Sequence, residues 1–150
     1  NGTVCASEQS VIVEEKIENK VRAEFEKQHC YFMTPEEITK VEKIAWSEDT
    51  RSMSASVVGK SVEVIARNAG ISVPAGTRIL MAPLSGVGRE YPLSHEILAP
   101  ILAFYVAKNY SKAIHLCIDL NYLGGIGHSA GIYANDEKKI VDFSMVMNAE

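Results

Sequence analysis

Apolar positions along the chain recur with two periods. Ser10-Val11-Ile12-Val13 is a short β-branched run and predicts a strand. Between Lys16 and Gln28 the apolar residues Ile17, Val21 and Phe25 fall four apart, which is one face of a helix. Thr34-Pro35-Glu36-Glu37 reads as a helix start. The threonine caps, the proline fits a first turn that has no use for its N–H, and the acids face the positive end of the peptide dipoles. Ile38, Val41 and Ala45 continue that helix inward. Ser61 to Asn68 carries Val62, Ile65 and Ala66 on one face, and Gly70 is its expected end. Thr77 to Met81 and Pro100 to Val106 predict buried strands. Ser111 to Leu123 predicts a helix with Ile114, Cys117 and Ile118 inward. A strand over Ser129 to Ala134 and a final helix over Asp136 to Met147 complete the pattern. Ser47 to Ser56 reads as a polar loop without the marks of a domain boundary. Strands alternating with helices predict an α/β domain of three αβα layers with a largely parallel sheet.

Composition narrows the class. The chain has 150 residues, 47% hydrophobic and 23% charged, enough for one domain with a hydrophobic core. A net charge of -4 gives no basic footprint and argues against nucleic acid as a partner. The three cysteines are odd in number and lack CxxC spacing, which argues against a disulfide framework or a metal site and for a reducing compartment. The apolar run Ile97 to Ala107 contains Pro100 and is too short to cross a bilayer. With no charged leader in view, the expectation is the cytoplasm. Asn1-Gly2-Thr3-Val4-Cys5 starts as if in mid-element, so a piece of a longer protein is expected.

Three places carry candidate chemistry. Cys5 lies between a glycine-containing turn and a strand. At the start of a short helix its thiol would feel the positive end of the dipoles, which favours the nucleophilic thiolate. Free N–H groups of the same turn would face an oxygen on the carbon under attack. The competing reading is an inert small hydrophobe. That reading suits Cys117, on an apolar helix face, and Cys30 follows a helix end without an evident partner. In Gly124-Gly125-Ile126-Gly127-His128-Ser129, the histidine can move a proton near neutral pH. The alternative there is a helix cap followed by a histidine bonded to a nearby carbonyl. Glu96 precedes a predicted strand and is otherwise a solvated acid. Gly86-Val87-Gly88 lacks a third glycine and a following helix, so it is not a dinucleotide fingerprint.

Taken in order, these pieces resemble a known family. Asn1-Gly2-Thr3-Val4-Cys5-Ala6-Ser7-Glu8-Gln9-Ser10 is similar to the nucleophile segment of CoA-acylating aldehyde dehydrogenases. Members include the aldehyde half of aldehyde-alcohol dehydrogenases, microcompartment acetaldehyde and propionaldehyde dehydrogenases, and succinate-semialdehyde relatives. Glu8-Gln9 stands where hydrolytic relatives usually place an arginine. The likeness continues through Val58-Gly59-Lys60-Ser61, Ala69 to Pro74, Thr77 to Leu80, Gly86 to Gly88, Pro92-Leu93-Ser94, Glu96 to Pro100, and Gly125 to Ser129.

The resemblance implies a cysteine-bearing catalytic domain over residues 1–150, with the NAD-binding domain elsewhere. It implies that Cys5 is the nucleophile, that Glu96 bonds the ribose hydroxyls of NAD, and that His128 assists coenzyme A near the reacting centre. The implied reaction joins an aldehyde, CoA and NAD to acyl-CoA and NADH through a Cys5 thioester. An asparagine that shares the oxyanion with the Cys5 N–H lies upstream in the family. The chain stops at Asn148-Ala149-Glu150, before family segments that complete the site and the oligomer contacts. A homo-oligomer in the full-length protein, an inactive isolated fragment, and a cytoplasmic or microcompartment setting are the corresponding expectations. Two alternatives stay open: a cysteine–histidine acyltransferase without NAD, and a non-catalytic assembly module.

Overall fold

The computed structural model describes residues 2–147. Asn1, which opens the Cys5 segment, and Asn148-Ala149-Glu150, read above as a stop before further segments, lie outside the described residues. Strand β1 (Ser10–Glu14) leads through a 3-10 turn (Glu15–Ile17) into helix α1 (Glu18–Lys27). Strand β2 (Cys30–Phe32), helix α2 (Pro35–Ala45), the two-residue strands β3 (Trp46–Ser47) and β4 (Ser52–Met53), and helix α3 (Val62–Ala69) follow. Strand β5 (Ile79–Pro83), a second 3-10 turn (Pro92–Ser94), strand β6 (Ile101–Ala107), and helices α4 (Tyr110–Gly124) and α5 (Glu137–Val146) complete the order.

The four longer strands form one sheet in the order β1-β6-β5-β2, and every pair in it is parallel. From β1 to β2 the chain crosses the sheet in one direction, and from β2 through β5 to β6 it returns. Right-handed crossovers taken in opposite directions put α1 on one face and α2 with α3 on the other. The side chains agree. Ile38, Val41 and Ile65 pack with Leu80, Ala82 and Ile101 on one face. Val21 and Phe25 of α1 pack with Val13, Cys30, Met81 and Phe104 on the other. Leu80 and Met81 are adjacent and face opposite ways, the two-residue period of a strand buried on both sides. The expected three-layer, largely parallel α/β architecture is present.

Local signals explain several boundaries. The Thr34 Oγ1 accepts from the Glu37 N–H at 3.3 Å, and the Glu37 carboxylate accepts from the Thr34 N–H at 2.9 Å, a reciprocal cap at the start of α2. Helix α3 ends at Gly70 in the left-handed conformation, as expected. Other expectations are corrected. Ile17 sits in the 3-10 turn and is 42% exposed, off the buried face of α1. Cys30 follows the end of α1 as read, and is buried in β2 in register with Ile79 of β5. The polar stretch 47–56 holds the second strand of the β3–β4 hairpin. Strand β5 starts later than Thr77, whose hydroxyl donates to the Pro74 carbonyl at 2.7 Å. Ser129 to Ala134 forms no strand: it pairs with nothing in the sheet and most of it is exposed. Ile114, Cys117 and Ile118 are half-buried, and no residue of α4 is fully buried.

Helix α4 packs on β1 and β6. Only Lys108 and Asn109 separate it from β6, so it must reverse and run back along the strands. Its 15 residues span ~22 Å and the seven of β6 about the same, so α4 ends at the edge of the sheet where β1 and β6 begin. Residues 125–136 then return to the opposite edge. There Lys139 of α5 meets Glu14 at 3.1 Å, and the Tyr110 hydroxyl donates to the Lys139 carbonyl at 2.7 Å. Among the described residues, no helix is long and apolar enough to cross a membrane.

Candidate functional site

The site is built where β1 and β6 begin. Cys5 lies in a single turn closed by the Ser7 N–H on the Val4 carbonyl at 2.9 Å, and its thiol is exposed. No helix follows this turn, because β1 starts at Ser10. The helix dipole expected to favour thiolate is therefore not supplied by this segment, and only the local N–H groups of the turn remain as donors.

The turn rests on the stretch that precedes β6. Gly2 has φ +66°, and a Cβ there would lie 2.8 Å from the Ala99 carbonyl oxygen, so only glycine allows this approach. Thr3 brings its methyl group beside Gly59. The Gly59 N–H donates to the Leu98 carbonyl at 3.0 Å, which ties the same stretch from a third side. Leu98 has φ 50°, a left-handed conformation uncommon outside glycine, and these contacts hold it there. Gln9 completes the attachment. Its Oε1 accepts from the Ile97 N–H at 3.3 Å, and its Nε2 donates to the Ile101 carbonyl at 3.2 Å.

Glu96 projects from this stretch with its side chain exposed. Its neighbours are fixed on both sides. Ile97 is fully buried, and His95 stacks on Trp46 with ring centroids 4.3 Å apart. Burial holds the His95 imidazole below its ordinary range, because desolvation disfavours the charged ring. Trp46 of β3 thus supports the residue that precedes Glu96.

His128 is exposed in the turn after α4, four residues beyond the end of that helix. Its Nδ1 accepts from the Ser129 N–H at 3.3 Å. A neutral ring in that state carries its proton on Nε2, so Nε2 acts as a base only after the ring releases this bond and changes tautomer. The structure joins the Cys5 and Glu96 segments through backbone and Gln9 contacts. Among the described residues, no hydrogen bond joins Cys5, Glu96 and His128 to one another. Cys30 is buried and Cys117 half-buried, and burial raises both thiols above the ordinary cysteine range. The Gly86 to Gly88 loop is held from inside. The Tyr105 hydroxyl donates to the Gly86 carbonyl at 3.2 Å, and the Gly88 N–H to Ser94 Oγ at 3.0 Å.

No family model matches the chain. Individual relatives do. It is 43% identical over 150 residues to an aldehyde-alcohol dehydrogenase of Clostridium acetobutylicum, covering 98% of this chain and 17% of that protein. It is 35% identical over 138 residues to an acylating sulfoacetaldehyde dehydrogenase of Bilophila wadsworthia, covering 87% of this chain and 29% of the relative. The crystal structure of an acetylating aldehyde dehydrogenase from Geobacillus thermoglucosidasius superposes with a TM-score of 0.94 at 44% identity. That match takes in 99% of this chain and 32% of the other.

The chain is homologous to one segment of the acylating aldehyde dehydrogenases.

It spans less than a third of each of these two curated relatives, so their whole-protein activities are not carried over by length alone. Within the shared segment, the parallel sheet and its flanking helices are the acylating aldehyde dehydrogenase arrangement. Sequence reasoning did not single out the Gly2–Ala99 contact or the two bonds of the Gln9 side chain. A glycine and a glutamine flanking the cysteine are the only signals, and neither names its partner far along the chain.

Proposed function

We propose that the protein carrying this segment is an acylating aldehyde dehydrogenase, with Cys5 as its nucleophile and this segment as the cysteine-bearing catalytic domain. It interconverts an aldehyde, CoA and NAD with acyl-CoA and NADH. One observation supports this most directly. The exposed Cys5 turn is fastened to the stretch that carries Glu96, through Gly2 on Ala99 and Gln9 on Ile97. A nucleophile and a carboxylate held in one frame suit a reaction that needs a thiol and a nucleotide side by side.

The Cys5 thiolate adds to the carbonyl carbon, and N–H groups of its turn face the oxygen as it gains charge. Glu96 fits a ribose: its carboxylate is exposed, accepts only, and can take two hydroxyl donors at once. NAD, when bound, supplies the hydride acceptor. His128 takes the proton of the CoA thiol, and the CoA sulfur then displaces Cys5 from the acyl carbon. Cys5, Glu96 and His128 are all exposed in this segment, whereas this chemistry calls for a site closed to water. The isolated 150 residues are accordingly expected to turn over no aldehyde. Stopped-flow measurement of the first NADH burst in the intact protein tests the assignment. Cys5→Ala should abolish the burst, and a burst of normal size in that variant would overturn the proposal.

A further inference from the structure

The side chain of Gln9 makes two bonds to the backbone of a different segment, 88 and 92 residues away. It accepts from Ile97 N–H and donates to Ile101 C=O, closing residues 97–101 into an arch. Its own carbonyl accepts from the Ala103 N–H at 3.1 Å, which sets Gln9 against β6 before β1 begins. Glu96 is attached to one foot of this arch. Leu98, with its left-handed backbone, and Ala99, against Gly2, form its crown. Only a side chain with both a donor and an acceptor closes the arch in this way, and an amide of this length reaches both feet. Four residues before it stands Cys5.

We propose that Gln9 is a positioning residue that sets the Glu96 carboxylate relative to the Cys5 thiol. This rests on the reading of Cys5 as nucleophile and Glu96 as the nucleotide's ribose partner. Removing the side-chain bonds frees the foot of the arch that carries Glu96. The Cys5 turn keeps its own Ser7–Val4 bond and the Gly2 contact. The nucleotide-dependent step then suffers more than acyl transfer at Cys5.

Two assays on the intact protein separate these steps. In acyl exchange, the Cys5 sulfur displaces CoA from an acyl-CoA, and a second thiol such as pantetheine displaces Cys5; no electrons change hands and no nucleotide is needed. The NADH burst reports hydride transfer. Gln9→Met should keep acyl exchange within about threefold while lowering the burst rate about tenfold or more and raising the KM for NAD, because small displacements are costly in oriented transfers. Gln9→Glu keeps an acceptor for Ile97 N–H but sets a carboxylate oxygen against the Ile101 carbonyl, so it should lower the burst rate as Gln9→Met does. Gln9→Asn, too short to span both feet, carries the expectation of Gln9→Met if that variant does not fold. Unchanged burst and KM in Gln9→Met overturns the proposal. So does a parallel fall of exchange and burst, which marks a merely structural role. Cys5→Ala run alongside should lose both activities. If it keeps them, the underlying reading of Cys5 fails, whereas a Cys5-dependent enzyme indifferent to Gln9→Met refutes the role of Gln9 alone.

Discussion

Gly2→Ala tests the frame of the site with a single methyl group. Alanine at φ +66° costs ~1–2 kcal/mol in backbone conformation. Its Cβ would also sit 2.8 Å from the Ala99 oxygen and 3.0 Å from the Ala99 carbonyl carbon. Ala99 has little room to retreat. The Leu98 carbonyl before it accepts from Gly59, and the Pro100 carbonyl after it accepts from the Leu80 N–H at 2.9 Å. Overpacking against such a wall costs ~1–3 kcal/mol. Gly76→Ala is the matched control, since Gly76 has φ +83° and nothing within 4 Å of its would-be Cβ. The two variants share the backbone cost and differ by the contact. Residues 3–8 are exposed, so the strain in Gly2→Ala is relieved by lifting the Cys5 turn rather than by unfolding the sheet. A displacement on the order of 1 Å at Cys5, the proposed nucleophile, predicts a loss of ~10²-fold in kcat/KM, with thermal stability close to that of Gly76→Ala. Burst kinetics and thermal scans of both variants in the intact protein provide the test. If Gly2→Ala is as active as Gly76→Ala, the close seat of the turn on Ala99 is refuted.

Further outcomes follow from the same geometry. His128→Ala should slow deacylation by CoA ~10²–10⁴-fold while the first NADH burst survives, and a lost burst with normal deacylation would assign the ring to hydride transfer or to the fold. Glu96→Gln should slow hydride transfer and spare acyl exchange, because an amide keeps one acceptor oxygen in place of two; unchanged single-turnover hydride transfer removes it from the site. Hydrogen bonds from Lys16 and Lys139 hold the Glu14 carboxyl below its ordinary range. Its contribution to docking α5 is therefore present above the ordinary carboxylate pKa and is lost as pH falls through the lowered one. Glu14→Gln should speed hydrogen exchange in α5 at neutral pH and flatten that acid dependence, and equal exchange in both proteins would contradict it.

The parts of the fold that the sequence disclosed were those with local causes. Thr34 with Glu37 announces a helix start by chemistry contained in four residues, and Gly70 announces an end. The four-residue spacing of Val21 and Phe25 identifies the face of α1 that meets Phe104. Strand β2 was hidden because only Cys30, Tyr31 and Phe32 form it, too few for a period to show. Ser129 to Ala134 has only Ile132 and Tyr133 as strand formers, and pairing is a matter of available edges; the chain there returns across the surface to α5. The candidate residues Cys5, Glu96 and His128 stand out by residue type and by resemblance. How the first two are fastened together depends on Gly2 meeting Ala99 and on Gln9 reaching Ile97. Such long-range contacts leave no periodic trace in sequence.

The central claim is that Cys5 carries the acyl group. Incubating the intact protein with acyl-CoA, quenching in acid and mapping peptides by mass locates that group among the three cysteines. The account predicts the acyl mass on the peptide containing Cys5, its removal by excess CoA, and its absence in Cys5→Ala. Acylation of Cys30 or Cys117 that persists in Cys5→Ala would contradict it.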